Sequence, residues 1–189
     1  EDDDEEDEDA DEDEEDEEEE EDSQAEDDEA LLLACASEAE VFVSRPVVGG
    51  YHLLTLDIGS DVYALAAFEE PATGAPRLAC GTGGYKRGDV RIFDAVAGGE
   101  ALLVLNVGSN VNALVAFDDL ATGTLRLAIG SQDKKVRVFD PVAGGEALLV
   151  IDVAGGDAFL VLEMGLSVSA LAFFADPATG AQRLACGTT

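Results

Sequence analysis

A set of four short segments recurs along this chain in one fixed order. VNALVAF at 111–117 leads through an Ala-Thr-Gly turn to RLAIG at 126–130, KVRVFD at 135–140 and VAGGEALLV at 142–150. Each segment has at least one further copy in the chain. The segments are rich in Val, Leu, Ile and Phe and are bounded by turn residues, a pattern that is typical of short antiparallel strands. The repeat therefore predicts an all-β fold with four strands in each unit, named a, b, c and d in chain order.

The spacing of the repeat predicts the architecture. The VAGGEALLV copies at 96–104 and 142–150 lie 46 residues apart. Four strands in about 45 residues is the length of one β-propeller blade. From residue 31 onward the segments run b, c, d, then a to d twice, then a and b, which predicts about three blades plus a partial one. Because propellers close with about four to eight blades, we expect this chain to be a fragment of a longer propeller.

One strand d segment is duplicated. VAGGEALLVID at 142–152 is followed at once by VAGGDAFLVLE at 153–163. Residues 153–171 align without gaps on residues 96–114, so the second copy is expected to be the ordinary strand that leads into the next strand a. We expect the first copy to bulge out or to add an extra outer strand.

The N-terminal segment differs in kind from the repeats. Residues 1–29 are almost entirely Asp and Glu, contain no Lys or Arg, and supply most of the formal net charge of -33. A run of one sign repels itself and has little apolar surface to bury, so it is predicted to be disordered. The predicted division is a disordered acidic low-complexity tail at 1–30 and a propeller segment at 31–189.

The segment GSQDKKVRVFD at 130–140 resembles the repeat of the WD-repeat β-propeller family. That repeat typically ends in Gly-Ser-x-Asp-x-x-Val-x-Val-Trp-Asp, and this copy differs at Phe139, which stands in the place of Trp. GTGGYKRGDVRIFD at 81–94 is a looser match, with Phe93 in the Trp place. The resemblance covers residues 31–189 and implies a divergent WD-repeat propeller, a fold that commonly serves protein–protein interaction.

The resemblance also implies a structural role for two polar residues. Ser131 and Asp133 match two members of a hydrogen-bonded set that the family completes with Trp and with His from a Gly-His pair. This chain has no Trp, and its single His, His52, is not preceded by Gly. The full polar set is therefore not expected, and Phe93 and Phe139 are expected to stabilise the blades as buried apolar groups.

The three cysteines occupy one repeated position. Cys35, Cys80 and Cys186 lie at the same place in strand b of three units, and Ile129 fills that place in the other. Equivalent positions in separate blades are too far apart for a disulfide or a shared metal. We expect all three to be reduced core residues, which favours an intracellular setting in cytoplasm or nucleus. No apolar stretch is long enough to predict a membrane span.

No motif predicts catalysis, a cofactor or a metal. His52 has no nucleophile motif or metal-ligand spacing around it. Gly81-Thr82-Gly83-Gly84 is not followed by Gly-Lys-Ser/Thr, so it is interpreted as a turn between strands b and c and not as a phosphate loop. The chain is therefore predicted not to be an enzyme, and a propeller hydrolase or oxidoreductase is kept only as a third alternative.

Basic residues recur in equivalent connections between strands b and c. They are expected to gather on one face of the propeller and to bind a partner, although solvated turn residues would give the same pattern; they are Lys86, Arg87, Lys134 and Lys135. Three further arginines open strand b opposite acidic residues and are expected to form cross-strand ion pairs, namely Arg77, Arg126 and Arg183.

These features favour a non-catalytic scaffold that docks a protein or peptide on its loop face. The alternative is a chaperone-like binder of basic proteins, such as histones or ribosomal proteins, with residues 1–29 as the main contact. Nucleic acid is not an expected partner, because the acidic field of the chain would repel phosphates.

Overall fold

The computed structural model describes residues 32–45, 52–84, 88–152 and 167–189, which contain thirteen β-strands and no helix. Blade 1 consists of β1 (Leu33–Ser37), β2 (Glu40–Ser44) and β3 (Leu54–Asp57). Blade 2 consists of β4 (Val62–Glu69), β5 (Pro76–Thr82), β6 (Asp89–Asp94) and β7 (Gly98–Asn106). Blade 3 consists of β8 (Val111–Asp119), β9 (Thr124–Ser131), β10 (Lys135–Phe139) and β11 (Leu149–Asp152). Blade 4 consists of β12 (Val168–Ala175) and β13 (Gln182–Thr188).

Each blade is a separate antiparallel sheet in which strands pair in chain order. Blades 2 and 3 have all four strands, blade 1 has the strands predicted as b, c and d, and blade 4 has a and b. The prediction of an all-β fold built from four-stranded antiparallel blades is confirmed. Among the residues described there is no helix that could cross a membrane.

The first strand of blades 2, 3 and 4, which corresponds to strand a of the repeat, has the same irregularity in each blade. The register of each shifts after its first residue, between Val62 and Ala64, between Val111 and Ala113, and between Val168 and Ala170. A bulge at this point allows two nearby apolar side chains to turn toward the same neighbouring sheet. In blade 3, Val111 and Leu114 both lie against Gly81 of blade 2.

The core lies between the faces of successive blades. One apolar cluster joins blades 1 and 2 and contains Phe93, and a second joins blades 2 and 3 and contains Phe139. Both rings are buried, with 4% and 2% of their surface exposed. A third cluster joins blades 3 and 4 through Val136 and Val168. Stacking of sheets therefore buries most of the apolar area that stabilises this fold.

A glycine at the end of strand b sets how closely two blades approach. A Cβ at Gly130 would lie 2.6 Å from Cγ1 of Val168 in the next blade, and a Cβ at Gly81 would lie 2.4 Å from Cγ1 of Val111. Any side chain at these positions would overlap the neighbouring strand a. The Gly that closes the Arg-Leu-Ala segment in blades 2 and 3 is thus explained by packing between sheets.

The duplicated segment folds differently from the expectation. Its first copy is not a bulge or an extra outer strand, because β11 from that copy pairs with β10 as the fourth strand of blade 3. The register is the one used in blade 2, with Arg137 opposite Val150 as Arg91 is opposite Val104. The first copy follows β10 after a single turn, so it reaches the free edge of β10 with the shortest loop. The second copy at 153–163 lies outside the described residues.

The cysteines do not share one environment. All three are free thiols, but only Cys80 is buried, whereas Cys35 and Cys186 are exposed. The expectation of three core residues is therefore wrong for two of them. Cys80 lies in a sheet enclosed by other strands, whereas β1 and β13, which carry Cys35 and Cys186, each pair on one side only within the described part of the chain.

This difference predicts unequal thiol reactivity. Burial raises the pKa of the Cys80 thiol to about 12, so its reactive thiolate is scarce as well as inaccessible. We expect a chromogenic thiol reagent at neutral pH to modify the exposed Cys35 quickly and Cys80 only on unfolding. Cys186 is exposed but should react more slowly than Cys35, because burial raises the pKa of its thiol. Cys80→Ala is the control, since it should remove the slow phase alone. Equal rates for all three thiols would contradict the packing of blades 1 and 2.

Candidate functional site

The turn between β9 and β10 is held by a closed set of polar side chains. Ser131 is fully buried, and its Oγ lies 2.6 Å from Oδ1 of Asp133, to which it donates. The same hydroxyl oxygen is 3.1 Å from the backbone oxygen of Lys135. These contacts join the last residue of β9, the turn and the first residue of β10. They fix the hairpin that the sequence singled out.

Arg137 of β10 completes this set. Its Nη1 donates to Ser131 Oγ at 2.9 Å and to Asp133 Oδ1 at 3.1 Å, while Nη2 donates to Asp133 Oδ2 at 2.5 Å. An ion pair in which a guanidinium bonds both carboxylate oxygens has a fixed geometry and is stronger than a single hydrogen bond. The Ser131–Asp133–Arg137 set thus provides hydrogen-bond partners for the buried hydroxyl and the half-buried carboxylate without the Trp and His of the WD repeat.

Blade 2 has a related set built from different positions. Thr82 Oγ1 lies 2.6 Å from Asp89 Oδ1, and Arg91 donates to the same carboxylate from Nε at 3.1 Å and from Nη2 at 3.2 Å. Arg91 Nη1 also donates to the carbonyl of Ile58, which lies in the connection from blade 1. The carboxylate here comes from β6 itself, whereas in blade 3 it comes from the turn.

The arginines of strand c were not predicted as members of the site. Arg91 and Arg137 occupy the same place in DVRIFD and KVRVFD, each three residues before the closing Asp. That repeated cation beside an acidic residue was the available signal. It was missed because the family resemblance directs attention to Trp and His, which this chain lacks or places elsewhere.

The charge state of Asp133 follows from these contacts. Partial burial raises the pKa of this carboxyl, but the hydrogen bonds from Arg137 and Ser131 and the charge of Arg137 outweigh that effect. The pKa of Asp133 is therefore lowered on balance. The carboxylate stays ionised at neutral pH, and the ion pair with Arg137 is maintained.

The lysines predicted to bind a partner lie at this same hairpin. Lys134 is exposed and has a φ of 67°, a left-handed conformation at the turn that is uncommon outside Gly. Lys135 begins β10 and is half-buried. Lys86 and Arg87 lie outside the described residues, so their place beside the two lysines stays a prediction.

The single histidine has structural contacts. Nδ1 of His52 is 2.9 Å from Oγ of Ser44, and its ring lies against Phe42 with centroids 4.6 Å apart. Among the described residues no three His, Cys, Asp or Glu side chains are grouped so that they could hold a metal ion.

The opposite ends of the strands carry the predicted arginine ion pairs. Arg77 bonds Glu70 at 2.5 Å and Asp94 at 2.6 Å, and Arg183 bonds Asp176 at 3.3 Å. Arg126 forms its ion pair with Asp140 across strands b and c at 3.1 Å. Hydrogen bonds from Thr122 and Ala121, followed by the charge of Arg126, lower the pKa of Asp119 before the turn. Backbone N–H groups of Ala97 and Val96 and the Arg77 side chain lower the pKa of Asp94. Blades 2 and 3 therefore each have a polar anchor at both ends.

Successive four-stranded blades with a polar hairpin at one end define a protein of the β-propeller class. No protein-family model matches the sequence, and the comparison with curated proteins finds no match. Among solved structures, BBS1N in complex with ARL6DN, soaked with lead, is 11% identical with a TM-score of 0.56, over 83% of this chain and 43% of that one. The same complex soaked with mercury gives 18% and 0.54 over the same shares.

A further similar structure is Sqt1 of Saccharomyces cerevisiae. It is 14% identical with a TM-score of 0.57, over 83% of this chain and 39% of its own. The chain thus spans about two fifths of the length of these solved structures. At such low identity the likeness establishes a β-propeller kind of fold.

Proposed function

We propose that this protein is a non-catalytic scaffold for protein–protein interaction, built from divergent WD-repeat blades, whose b to c hairpins dock a protein or peptide. The observation that carries the proposal is the closed Ser131–Asp133–Arg137 set. It holds the hairpin rigid while Lys134 extends into solvent at the turn. A rigid loop with an exposed charge loses little entropy on binding, which favours recognition.

Two further observations support this proposal. A similar propeller structure is a complex between two proteins, BBS1N and ARL6DN. The residues described here bring together no group of His, Cys, Asp or Glu side chains that could hold a metal ion. Three free thiols support an intracellular setting as part of the same proposal.

Charge reversal at the hairpin tests the proposal. The double variant Lys134→Glu, Lys135→Glu should lose proteins that the full chain captures from an extract, because a rim charge governs encounter and register. Glu146→Lys is the matched control, since Glu146 is exposed in a turn at the other end of the strands. The measurement is quantitative mass spectrometry of the captured proteins. Equal losses for the hairpin variant and the control would overturn the proposal.

The acidic segment supports a second candidate function. Its charge density would attract basic proteins with an affinity that falls as salt rises. Core histones serve as the probe, with the full chain compared with a chain that lacks residues 1–30, and circular dichroism checks that the strand signal persists. Loss of histone binding on deletion would favour the chaperone-like function, and unchanged binding would exclude it.

A further inference from the structure

An open cleft lies between the hairpins that join strands a and b in blades 2 and 3. Its volume is about 440 Å³. Apolar residues from both blades line it, and carboxylates stand around them; the main ones are Phe68, Ala116, Leu125, Glu69 and Asp118. Because antiparallel strands place these hairpins opposite the b to c turns, the cleft is separate from the Lys134 site.

The equivalent position between blades 3 and 4 is filled by an aromatic ring. Phe173 of β12 stacks on Phe117 of β8, with centroids 4.1 Å apart and an interplanar angle of 20°. In the repeat alignment Phe117 corresponds to Phe68, and Phe173 corresponds to Ala116. The cleft thus exists where blade 3 has a methyl group in place of the ring that blade 4 supplies.

A second closing contact is also missing from the cleft. Between blades 3 and 4, the Gln182 amide accepts a hydrogen bond from the Leu120 backbone N–H at 3.1 Å and donates to the Asp118 carbonyl. The corresponding residue one blade earlier is Leu125, whose side chain cannot make either bond. The two blade junctions therefore differ by a ring and an amide.

The rim of the cleft is acidic. Glu69 and Asp118 are exposed, and within the described part of the chain neither carboxylate has a basic partner. Glu70, by contrast, is neutralised by Arg77 at 2.5 Å. Phe68 reaches the cleft with only 9% of its surface exposed, so the cleft floor is mainly aliphatic. An apolar cleft beside two exposed carboxylates is complementary to a ligand that is both apolar and cationic.

We propose that this cleft binds a short basic peptide segment of a partner protein, which inserts one aromatic side chain beside Phe68 where Phe173 lies in the next junction. Lys or Arg residues flanking that side chain pair with Glu69 and Asp118. The Phe117–Phe173 stack is the internal template for the inserted ring. Aromatic anchors in clefts commonly dominate the energy of protein interfaces.

The test uses the full chain and the peptide Lys-Arg-Trp-Lys-Arg. The protein has no Trp, so emission from the peptide reports its environment without background. We expect a blue shift on saturation with protein, because insertion removes the ring from water. Attraction to the acidic N-terminal segment alone offers no apolar surface and should leave the emission unshifted. A peptide Glu-Asp-Trp-Glu-Asp should give no shift, and an equal shift with it would contradict the proposed charge preference.

Ala116→Phe is the decisive variant. It places in the cleft the ring that closes the next junction, so it should abolish the blue shift and weaken affinity about ten-fold. The double change Glu69→Gln, Asp118→Asn should weaken affinity and flatten its salt dependence, and Glu146→Gln, which removes a carboxylate outside the cleft, is the control.

Three outcomes would overturn the proposal. They are no blue shift with the native chain, a blue shift that survives Ala116→Phe in a chain with unchanged circular dichroism, and equal effects of the double change and Glu146→Gln. If Ala116→Phe does not fold, the comparison of the double change Glu69→Gln, Asp118→Asn with Glu146→Gln still tests the proposal. Lys134→Glu, Lys135→Glu should leave peptide binding unchanged, so failure here is distinguishable from failure of the hairpin proposal.

Discussion

Gly130→Ala is expected to lower the free energy of unfolding by about 1–3 kcal/mol, the usual cost of overpacking a core. The added methyl would lie 2.6 Å from Cγ1 of Val168 and 3.2 Å from its Cβ, and both atoms belong to a strand held in the next blade. Relief requires the two sheets to separate, which weakens the apolar cluster between blades 3 and 4. Urea unfolding followed by circular dichroism measures the change.

Gly187→Ala is the matched control for this experiment. Gly187 closes the same Arg-Leu-Ala segment in blade 4, but a Cβ there would meet only Cβ of Ala170 at 3.2 Å and two backbone atoms at 3.9 Å. We expect an effect well below that of Gly130→Ala. If the two substitutions changed the free energy of unfolding by comparable amounts, strand propensity, and not the stacking of blades, would explain why glycine stands at position 130.

Asp133→Asn is expected to lower the free energy of unfolding by about 2 kcal/mol at pH 7, since hydrogen bonds to charged groups are worth about 1.5–3 kcal/mol. The amide cannot accept from both Nη atoms of Arg137 as a carboxylate does, and Arg137 has only 15% of its side chain exposed. Glu146→Gln removes an exposed carboxylate and should change stability by less than about 0.5 kcal/mol. Equal effects of the two substitutions would contradict the structural role of the Ser131–Asp133–Arg137 set.

The same substitution has a predicted pH dependence. The pKa of Asp133 is lowered in the folded chain, so its stabilising contribution is present above the unfolded pKa of about 3.9 and is lost as pH falls through the folded pKa. The difference in unfolding free energy between the native chain and Asp133→Asn should therefore be constant near neutrality and shrink below about pH 4. A difference that grows on acidification would have the wrong sign for this ion pair.

The order of the strands was predictable from the sequence because it depends on local properties. Short segments that alternate apolar and polar residues between turns are typical of β-strands. Their repetition at one spacing indicates the size of a blade. The buried state of Phe93 and Phe139 follows from the same alternation. These properties are read within one repeat and need no knowledge of its neighbours.

Other features depend on contacts between repeats, which the sequence does not display. The exposure of Cys35 and Cys186 reflects strands that are not covered on one side, although the local sequence around them matches that of buried Cys80. The placement of the duplicated strand follows from chain connectivity and not from the better alignment of its second copy. The family resemblance likewise concealed the role of Arg137, because a different cation–carboxylate pair replaces the expected residues.

The cleft between blades 2 and 3 combines both kinds of information. The difference between VNALVAF and VSALAFF is visible in the sequence, but its meaning requires the bulge that sets which side chains face the next sheet. Only then does Ala116 become the counterpart of Phe173 in a blade junction. The exchange of a ring for a methyl group, together with the exchange of the Gln182 amide for Leu125, thus distinguishes the two junctions.

A double-mutant cycle between Gly130 and Val168 tests the stacking of blades most directly. These residues lie on different blades, and their contact is the one on which the close approach of the sheets depends. In a Val168→Ala background the clashing Cγ1 is gone, so the cost of Gly130→Ala should fall by at least about 1 kcal/mol, as expected for residues in contact. If the costs of the two single substitutions add to the cost of the double substitution within about 0.3 kcal/mol, the two residues are not in contact and the stacked-blade account is wrong.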